Sequence, residues 1–161
     1  MSKTLSRSGL SLAQPMRAIL QTACGLLLFS GGPDSTALFH LLLSQKKQKT
    51  HSFAVLHVNY GLRGADSLAD EKHVRSLCRE HGIVCHIRRV KLSKAAGIQQ
   101  RARLIRRHLA AQLAKKNGYC WLATAHHADD QIETLIMRQA RGAGLTGLAG
   151  IRAVTSLTNR C

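Results

Sequence analysis

Acidic residues are scarce in this chain. Eight Asp and Glu stand against 24 Lys and Arg in 161 residues, which gives a formal net charge of +16. An excess of positive charge spread along a chain attracts polyanions, and nucleic acid is the usual partner. An incidental solubility charge is the alternative, but this value exceeds the range of about 2 to 8 that is usual for a small domain. The composition therefore favours a nucleic-acid partner.

Two other absences narrow the setting. No apolar run approaches the roughly 20 residues that a bilayer crossing needs, so we expect no membrane partner. The five cysteines are spread along the chain without a Cys-x-x-Cys pair. Free thiols in a reducing cytoplasm fit this pattern better than a disulfide framework or a zinc site. We therefore predict a cytoplasmic protein.

The length suits one domain with a real core. The first two dozen residues carry Lys3, Arg7 and Arg17 but no acid. We predict a disordered or helical extension over 1–22, with an organellar transit peptide as the alternative. The domain itself is predicted over 23–161.

Strand and helix patterns alternate along the chain. The apolar runs predict strands at 26–29, 53–59, 83–90 and 119–125, and helical spacing covers 34–44, 67–81, 98–118 and 129–141. Such alternation predicts an α/β fold, a parallel sheet with helices on both faces. Parallel sheets bind ligands beyond the carboxyl ends of their strands. We therefore expect the turns after the first, second and fourth strands to share one edge.

The turn after the first strand is the most informative segment. It reads Ser30-Gly31-Gly32-Pro33-Asp34-Ser35 and joins an apolar run to a helix. Glycines let backbone N–H groups approach an anion closely, and the N-terminus of the following helix adds a positive dipole end. The pattern predicts a phosphate cradle. It lacks Gly-x-x-x-x-Gly-Lys-Ser/Thr, so it is not the loop of P-loop NTPases.

A second motif, at 126–134, follows the fourth predicted strand. Four of the eight acids lie in this motif and the cradle: Asp34, Asp129, Asp130 and Glu133. Asp130 and Glu133 are three residues apart and would project from one helical face. Carboxylates that hold Mg²⁺ against a nucleotide phosphate are favoured over zinc ligands, because adjacent residues rarely converge on one tetrahedral ion. An N-capping Asp followed by a solvated acid is the structural alternative.

These residues carry a resemblance to a known family. The cradle resembles the Ser-Gly-Gly-x-Asp-Ser signature of the N-type ATP pyrophosphatases, which binds the phosphates of ATP. Four further stretches are similar to the tRNA(Ile)-lysidine synthase family: 57–63, the arginine-rich 100–106, 126–134 and 141–148. Tyr60 stands where that family usually has His. Family members also continue beyond this C-terminus, so we expect the domain over 23–161 to be incomplete.

The resemblance implies a Rossmann-like PP-loop ATP pyrophosphatase fold and a ligase that forms a C–N bond. Its partners would be ATP, L-lysine and a tRNA(Ile) with a CAU anticodon. ATP would adenylate the C2 oxygen of the wobble cytidine and release diphosphate. The lysine ε-amine would then displace AMP to give lysidine.

The resemblance also implies roles for particular residues. The cradle residues Ser30 to Ser35 would hold the ATP phosphates. Asp34 and Asp130 would be catalytic carboxylates that hold Mg²⁺ or orient the reactants.

The remaining implied roles concern the lysine and the tRNA. Asp130 and Glu133 would hold the substrate lysine through its ammonium groups. His126 or a neighbouring carboxylate would accept the proton that the attacking ammonium must lose. Arg106 and Arg103 would offset charge on the adenylated intermediate or bind the anticodon backbone.

Other functions stay open at this point. Another PP-loop tRNA-modifying enzyme, such as a thiolase, typically needs the paired cysteines that this chain lacks. A non-catalytic basic RNA-binding module could keep the same fold. An amidase-coupled synthetase of small molecules is disfavoured by the strong positive charge.

Overall fold

The computed structural model describes residues 24–44, 53–93 and 96–125. Within these ranges the strands are β1 (Gly25–Leu28), β2 (Phe53–Asn59), β3 (Cys85–Arg89) and β4 (Trp121–Thr124), and the helices are α1 (Pro33–Ser44), α2 (Ala65–Glu80) and α3 (Ile98–Asn117). Each lies within a few residues of its predicted position. The predicted extension over 1–22 and the predicted helix over 129–141 lie outside the described residues.

The four described strands form one parallel sheet in the order β3-β2-β1-β4. The chain moves outward from β1 to β2 and β3, then crosses back to place β4 on the other side of β1. The connections on either side of β1 thus run in opposite directions. Such a reversal opens a crevice at the carboxyl ends of the central strands, and ligands bind there in sheets of this kind. The predicted α/β class and parallel sheet are confirmed.

Helices cover both faces of the sheet, as predicted. Helices α1 and α2 pack on the face that carries Leu27 and Val55. Helix α3 packs on the opposite face, which carries Leu26 and Ala54. Successive side chains of a strand point to opposite faces, so Leu26 and Leu27 are both fully buried. Strand β1 is therefore enclosed on both sides, and its carboxyl end is held in a fixed place.

Helix α2 differs from its prediction in one respect. Helical spacing places Leu68 on one apolar stripe with Val74, Leu77 and Cys78, but Leu68 is 49% exposed. Val74 and Cys78 are buried as expected, and the carboxylate of Glu71 occupies a buried position beside them. An acid can lie there because cationic side chains pair with it, as described below.

None of the helices in the described ranges is long and apolar enough to cross a membrane.

The start of β1 offers a steric test of the sheet. Gly25 pairs with Trp121 of β4, and a Cβ at Gly25 would lie 1.9 Å from Cε2 of the indole. We expect Gly25→Ala to lower the free energy of unfolding by about 1 to 3 kcal/mol in urea denaturation, because the ring or the strand must move. In a Trp121→Leu background the cost should shrink. An equal cost in both backgrounds would contradict the steric explanation.

Candidate functional site

A cleft of about 270 Å³ opens at the carboxyl edge of the sheet. Its walls come from the turn after β1, the turn after β2, the end of β4 at Thr124 and Ala125, and Arg106 of α3. The predicted meeting of these segments at one edge is confirmed for the described residues. The cleft lies at the point where the connections reverse direction.

The predicted cradle forms one wall of this cleft. Pro33 opens α1, where its fixed φ suits the first helical turn and its missing N–H is not needed. Ser30 Oγ accepts the N–H of Gly32 at 3.3 Å and lies 3.0 Å from Ser35 Oγ. Ser35 Oγ donates to the carbonyl of Gly32 at 2.9 Å. Two hydroxyls and a backbone amide are thus held together at the positive end of a helix.

Gly31 gives the cradle its shape. Its φ is +92°, a region that residues with a Cβ rarely adopt. A Cβ at Gly31 would lie 3.5 Å from Cγ2 of Val74 and 3.6 Å from Cβ of Asp70. The cradle backbone therefore lies directly against α2.

The predicted acids are only partly within the described residues. Asp34 lies in the first turn of α1, is exposed and lines the cleft. The positive helix terminus stabilises a carboxylate at this position. His126, Asp130 and Glu133 lie outside the described residues, and their roles stay predictions.

The two predicted arginines of α3 differ in position. Arg106 lines the cleft, whereas Arg103 is exposed and is not among the residues of its wall. The hydroxyl of Tyr60 donates to the carbonyl of Ala102 at 2.8 Å, one turn before Arg106. Burial raises the pKa of Tyr60, and the charge of Arg106 partly offsets this. Tyr60 thus links the turn after β2 to the helix segment that carries Arg106.

A buried carboxylate supports the second wall. Glu71 accepts hydrogen bonds from Nε and Nη2 of Arg89, both at 2.9 Å, and from Arg75. It also accepts one at 3.1 Å from Nδ2 of Asn59, whose Oδ1 receives the N–H of Gly61 at 2.9 Å. The hydrogen bonds from Arg89 are the main reason that the pKa of Glu71 falls to about 2. Glu71 therefore orients Asn59, and Asn59 shapes the turn.

The cleft also contains charged and polar residues with no predicted role, among them His57, Arg63 and Asp70. His57 is buried in β2, and its Nδ1 donates to the carbonyl of Phe29 at 2.9 Å. Arg63 and Asp70 form an ion pair at 2.5 Å, and both line the cleft. No local pattern in the sequence marks Asp70 as a site residue, because a single acid on a helix is usually solvated.

Comparisons with known proteins give a consistent picture. A family model described as a PP-loop domain matches residues 3–160. The tRNA(Ile)-lysidine synthase of Novosphingobium aromaticivorans is 47% identical over 131 residues, which cover 81% of this chain and 39% of the relative. The synthase of Chlorobaculum tepidum is 42% identical over 132 residues, or 79% of this chain and 40% of the relative. The chain thus spans about two fifths of the length of these curated relatives.

A solved structure has a similar fold. The U34-tRNA thiolase NcsA from Methanococcus maripaludis, determined with its [4Fe-4S] cluster, superposes with a TM-score of 0.68. The similarity covers 84% of this chain and 52% of the thiolase at 20% identity. At that identity the likeness concerns the fold alone.

The Tyr60 link can be tested by removing one oxygen atom. We expect Tyr60→Phe to lower the free energy of unfolding by about 1 kcal/mol, the usual net value of a hydrogen bond. Amide hydrogen exchange should accelerate around 102–106 of α3. Tyr119→Phe is the matched control, because that hydroxyl also makes a side-chain hydrogen bond, at 2.9 Å to His86. Equal acceleration at 102–106 in both variants would contradict a local link.

The Glu71 network predicts a pH dependence of stability. The folded pKa of about 2 lies below the ordinary 4.5, so the contribution is complete above pH 4.5 and disappears as the pH falls towards 2. We expect the wild type to exceed Glu71→Gln by about 2 to 3 kcal/mol at neutral pH, with the difference shrinking over that window. Urea denaturation at several pH values measures it. Glu80→Gln, a change at an exposed acid of the same helix, is the control. A difference independent of pH would contradict the assignment.

Proposed function

Because the chain belongs to the PP-loop domain family, we propose that it binds ATP in the cleft and uses it to join L-lysine to a tRNA(Ile) with a CAU anticodon. The product is lysidine at the wobble position, formed in the cytoplasm. The observation that carries this proposal is the Ser30–Ser35 turn, whose hydroxyls and amides share one cleft with Arg106. The identity to lysidine synthases supports the choice of reaction within the family.

The cradle accounts for the nucleotide. The N–H groups of Gly31 and Gly32 and the hydroxyls of Ser30 and Ser35 bind phosphate oxygens, helped by the N-terminus of α1. Asp34 fits a Mg²⁺ role, because it belongs to this turn and lines the cleft, and Mg²⁺ prefers oxygen ligands. When bound, the ion neutralises charge on the phosphates. We assign Asp130 to the same role from the motif that contains it.

The first chemical step is adenylation of the tRNA. The C2 oxygen of the wobble cytidine attacks the α-phosphorus, a new P–O bond forms, and the bond to diphosphate breaks. Negative charge grows on the phosphate oxygens during this step. We assign Arg106, which lines the cleft, to offset that charge.

The second step is attack by lysine. Its ε-ammonium loses a proton, for which we assign His126 or a neighbouring carboxylate, and the amine attacks C2. The C–O bond to the adenylate breaks, and AMP leaves. We assign Asp130 and Glu133 to the lysine ammonium groups, again from their motif.

The tRNA meets a strongly basic protein. The net charge of +16 attracts its phosphates at long range. Arg103 is exposed on α3, one turn before Arg106. We assign Arg103 to the anticodon backbone, which it can contact without entering the cleft.

Exchange of labelled diphosphate into ATP tests this function. We expect exchange only in the presence of a tRNA(Ile) with a CAU anticodon, and lysidine only after lysine is added. A tRNA with uridine at the wobble position is the substrate control. Asp34→Asn should reduce exchange by about 100-fold or more, as expected for loss of a charged group at the reacting phosphates. Asp66→Asn is the matched variant, since Asp66 is an exposed acid in the first turn of α2 outside the cleft.

The alternatives give different results in the same assay. RNA binding with no AMP formed would indicate a non-catalytic module. Sulfur incorporated into the tRNA would indicate a thiolase. Either result would overturn the proposal that this chain forms lysidine. Measuring the binding of ATP to the isolated chain tests the nucleotide site by itself.

A further inference from the structure

The ion pair between Arg63 and Asp70 points to a role in nucleotide binding. We propose that Arg63 is a second phosphate-binding residue of the cleft, and that Asp70 holds its guanidinium beside the cradle until the nucleotide enters. The phosphates it receives are those of the diphosphate leaving group. This inference rests on the proposed binding of ATP.

Position is the first argument. Arg63 lies in the turn after β2, Asp70 lies in α2, and both line the cleft together with Ser30 and Gly32. A Cβ at Gly31 would lie 3.6 Å from Cβ of Asp70, so the Asp70 side chain is attached to α2 directly beside the cradle backbone. Its cationic partner is therefore held at the phosphate end of the cleft.

Electrostatics is the second argument. A carboxylate beside a phosphate cradle repels the anion that the cradle is built to bind. Two like charges about 5 Å apart repel each other by about 3 kcal/mol at an effective dielectric constant near 20. A cation close to both Asp70 and the phosphates offsets this penalty. Arg63, with its Nη2 at 2.5 Å from Oδ2 of Asp70, is placed to be that cation.

The strength of the pair is the third argument. Arg89 donates through both Nε and Nη2 to the buried Glu71 and is fixed there. Arg63 contacts Asp70 through Nη2, and the two side chains are 68% and 33% exposed. Exposed pairs of this kind contribute only about 0 to 1 kcal/mol, so a phosphate can compete for the guanidinium. The planar fork of arginine also suits phosphate oxygens.

The backbone of Arg63 needs no movement for this exchange. Its N–H donates to Ser67 Oγ at 3.2 Å, and its carbonyl accepts the N–H of Asp66 at 3.2 Å. The residue is therefore anchored at the start of α2. Only the side chain has to turn from Asp70 towards the phosphates.

Calorimetric titration of the 161-residue chain with ATP, AMP and adenosine tests the inference. We expect Arg63→Gln to weaken ATP binding about tenfold, equivalent to about 1.4 kcal/mol, to affect AMP less and to leave adenosine unchanged. Asp70→Asn should tighten ATP binding by about threefold, because it releases Arg63 and removes a repelling charge. Opposite signs identify the role, because a purely structural bridge is broken equally by either substitution.

The controls separate this inference from the proposed function. Arg79→Gln removes a charge from an exposed position of α2 outside the cleft and should leave ATP affinity unchanged. Arg63→Lys should retain part of the affinity, because it keeps the charge without the fork. Thermal melts verify that each variant is folded.

Several results would overturn the inference. Equal losses for ATP and adenosine in Arg63→Gln, or shifts of the same sign in both variants, would make the pair structural. A loss of ATP affinity in Asp70→Asn that occurs only with Mg²⁺ would make Asp70 a metal ligand instead. Unchanged ATP binding in Arg63→Gln would overturn this inference alone. Failure of the wild-type chain to bind ATP would overturn the proposed function as well.

Discussion

The hydrogen bonds that surround the Glu71 carboxylate hold one side of the candidate site together. They join α2, the end of β2 and β3 through Asn59 and Arg89, which are distant from one another along the chain. A buried charge is tolerated only when it is paired in this way, and the loss of one partner leaves the others unsatisfied. The turn that carries Tyr60 and Arg63 has its shape because this network is complete.

The other side of the site depends on local chain geometry. The cradle follows a strand that is enclosed on both faces, and Gly31 with a positive φ turns the chain into α1. Hydrogen bonds among Ser30, Gly32 and Ser35 then fix the donors within a span of six residues. One wall is therefore built from near neighbours in sequence, and the other from residues that only the folded sheet brings together.

This difference explains which features could be predicted from the sequence. The strands and helices lie within a few residues of their predicted positions, because apolar runs and helical spacing are local signals, and so are Gly82 and Gly118, which follow the ends of α2 and α3. The Ser30–Ser35 turn and Arg106 line the cleft, and their roles as phosphate-binding and charge-stabilising residues stay predictions. The burial of Glu71 could not be predicted from the sequence, because an acid on a helix is usually exposed. Its partner Arg89 is 18 residues away along the chain and is brought close only by the fold. The same applies to Asp70, whose nearness to Gly31 depends on the packing of α2 against the β1–α1 turn.

Tyr60 has a consequence for how the cleft responds to its surroundings. A histidine at this place would change its charge within the physiological pH range. The phenol of Tyr60 stays neutral there, since burial moves its pKa further above 10. The hydrogen bond between the turn and α3 therefore does not depend on the protonation of a group that titrates near neutral pH. The helix segment that carries Arg106 is thus held by a hydroxyl group that stays protonated at neutral pH.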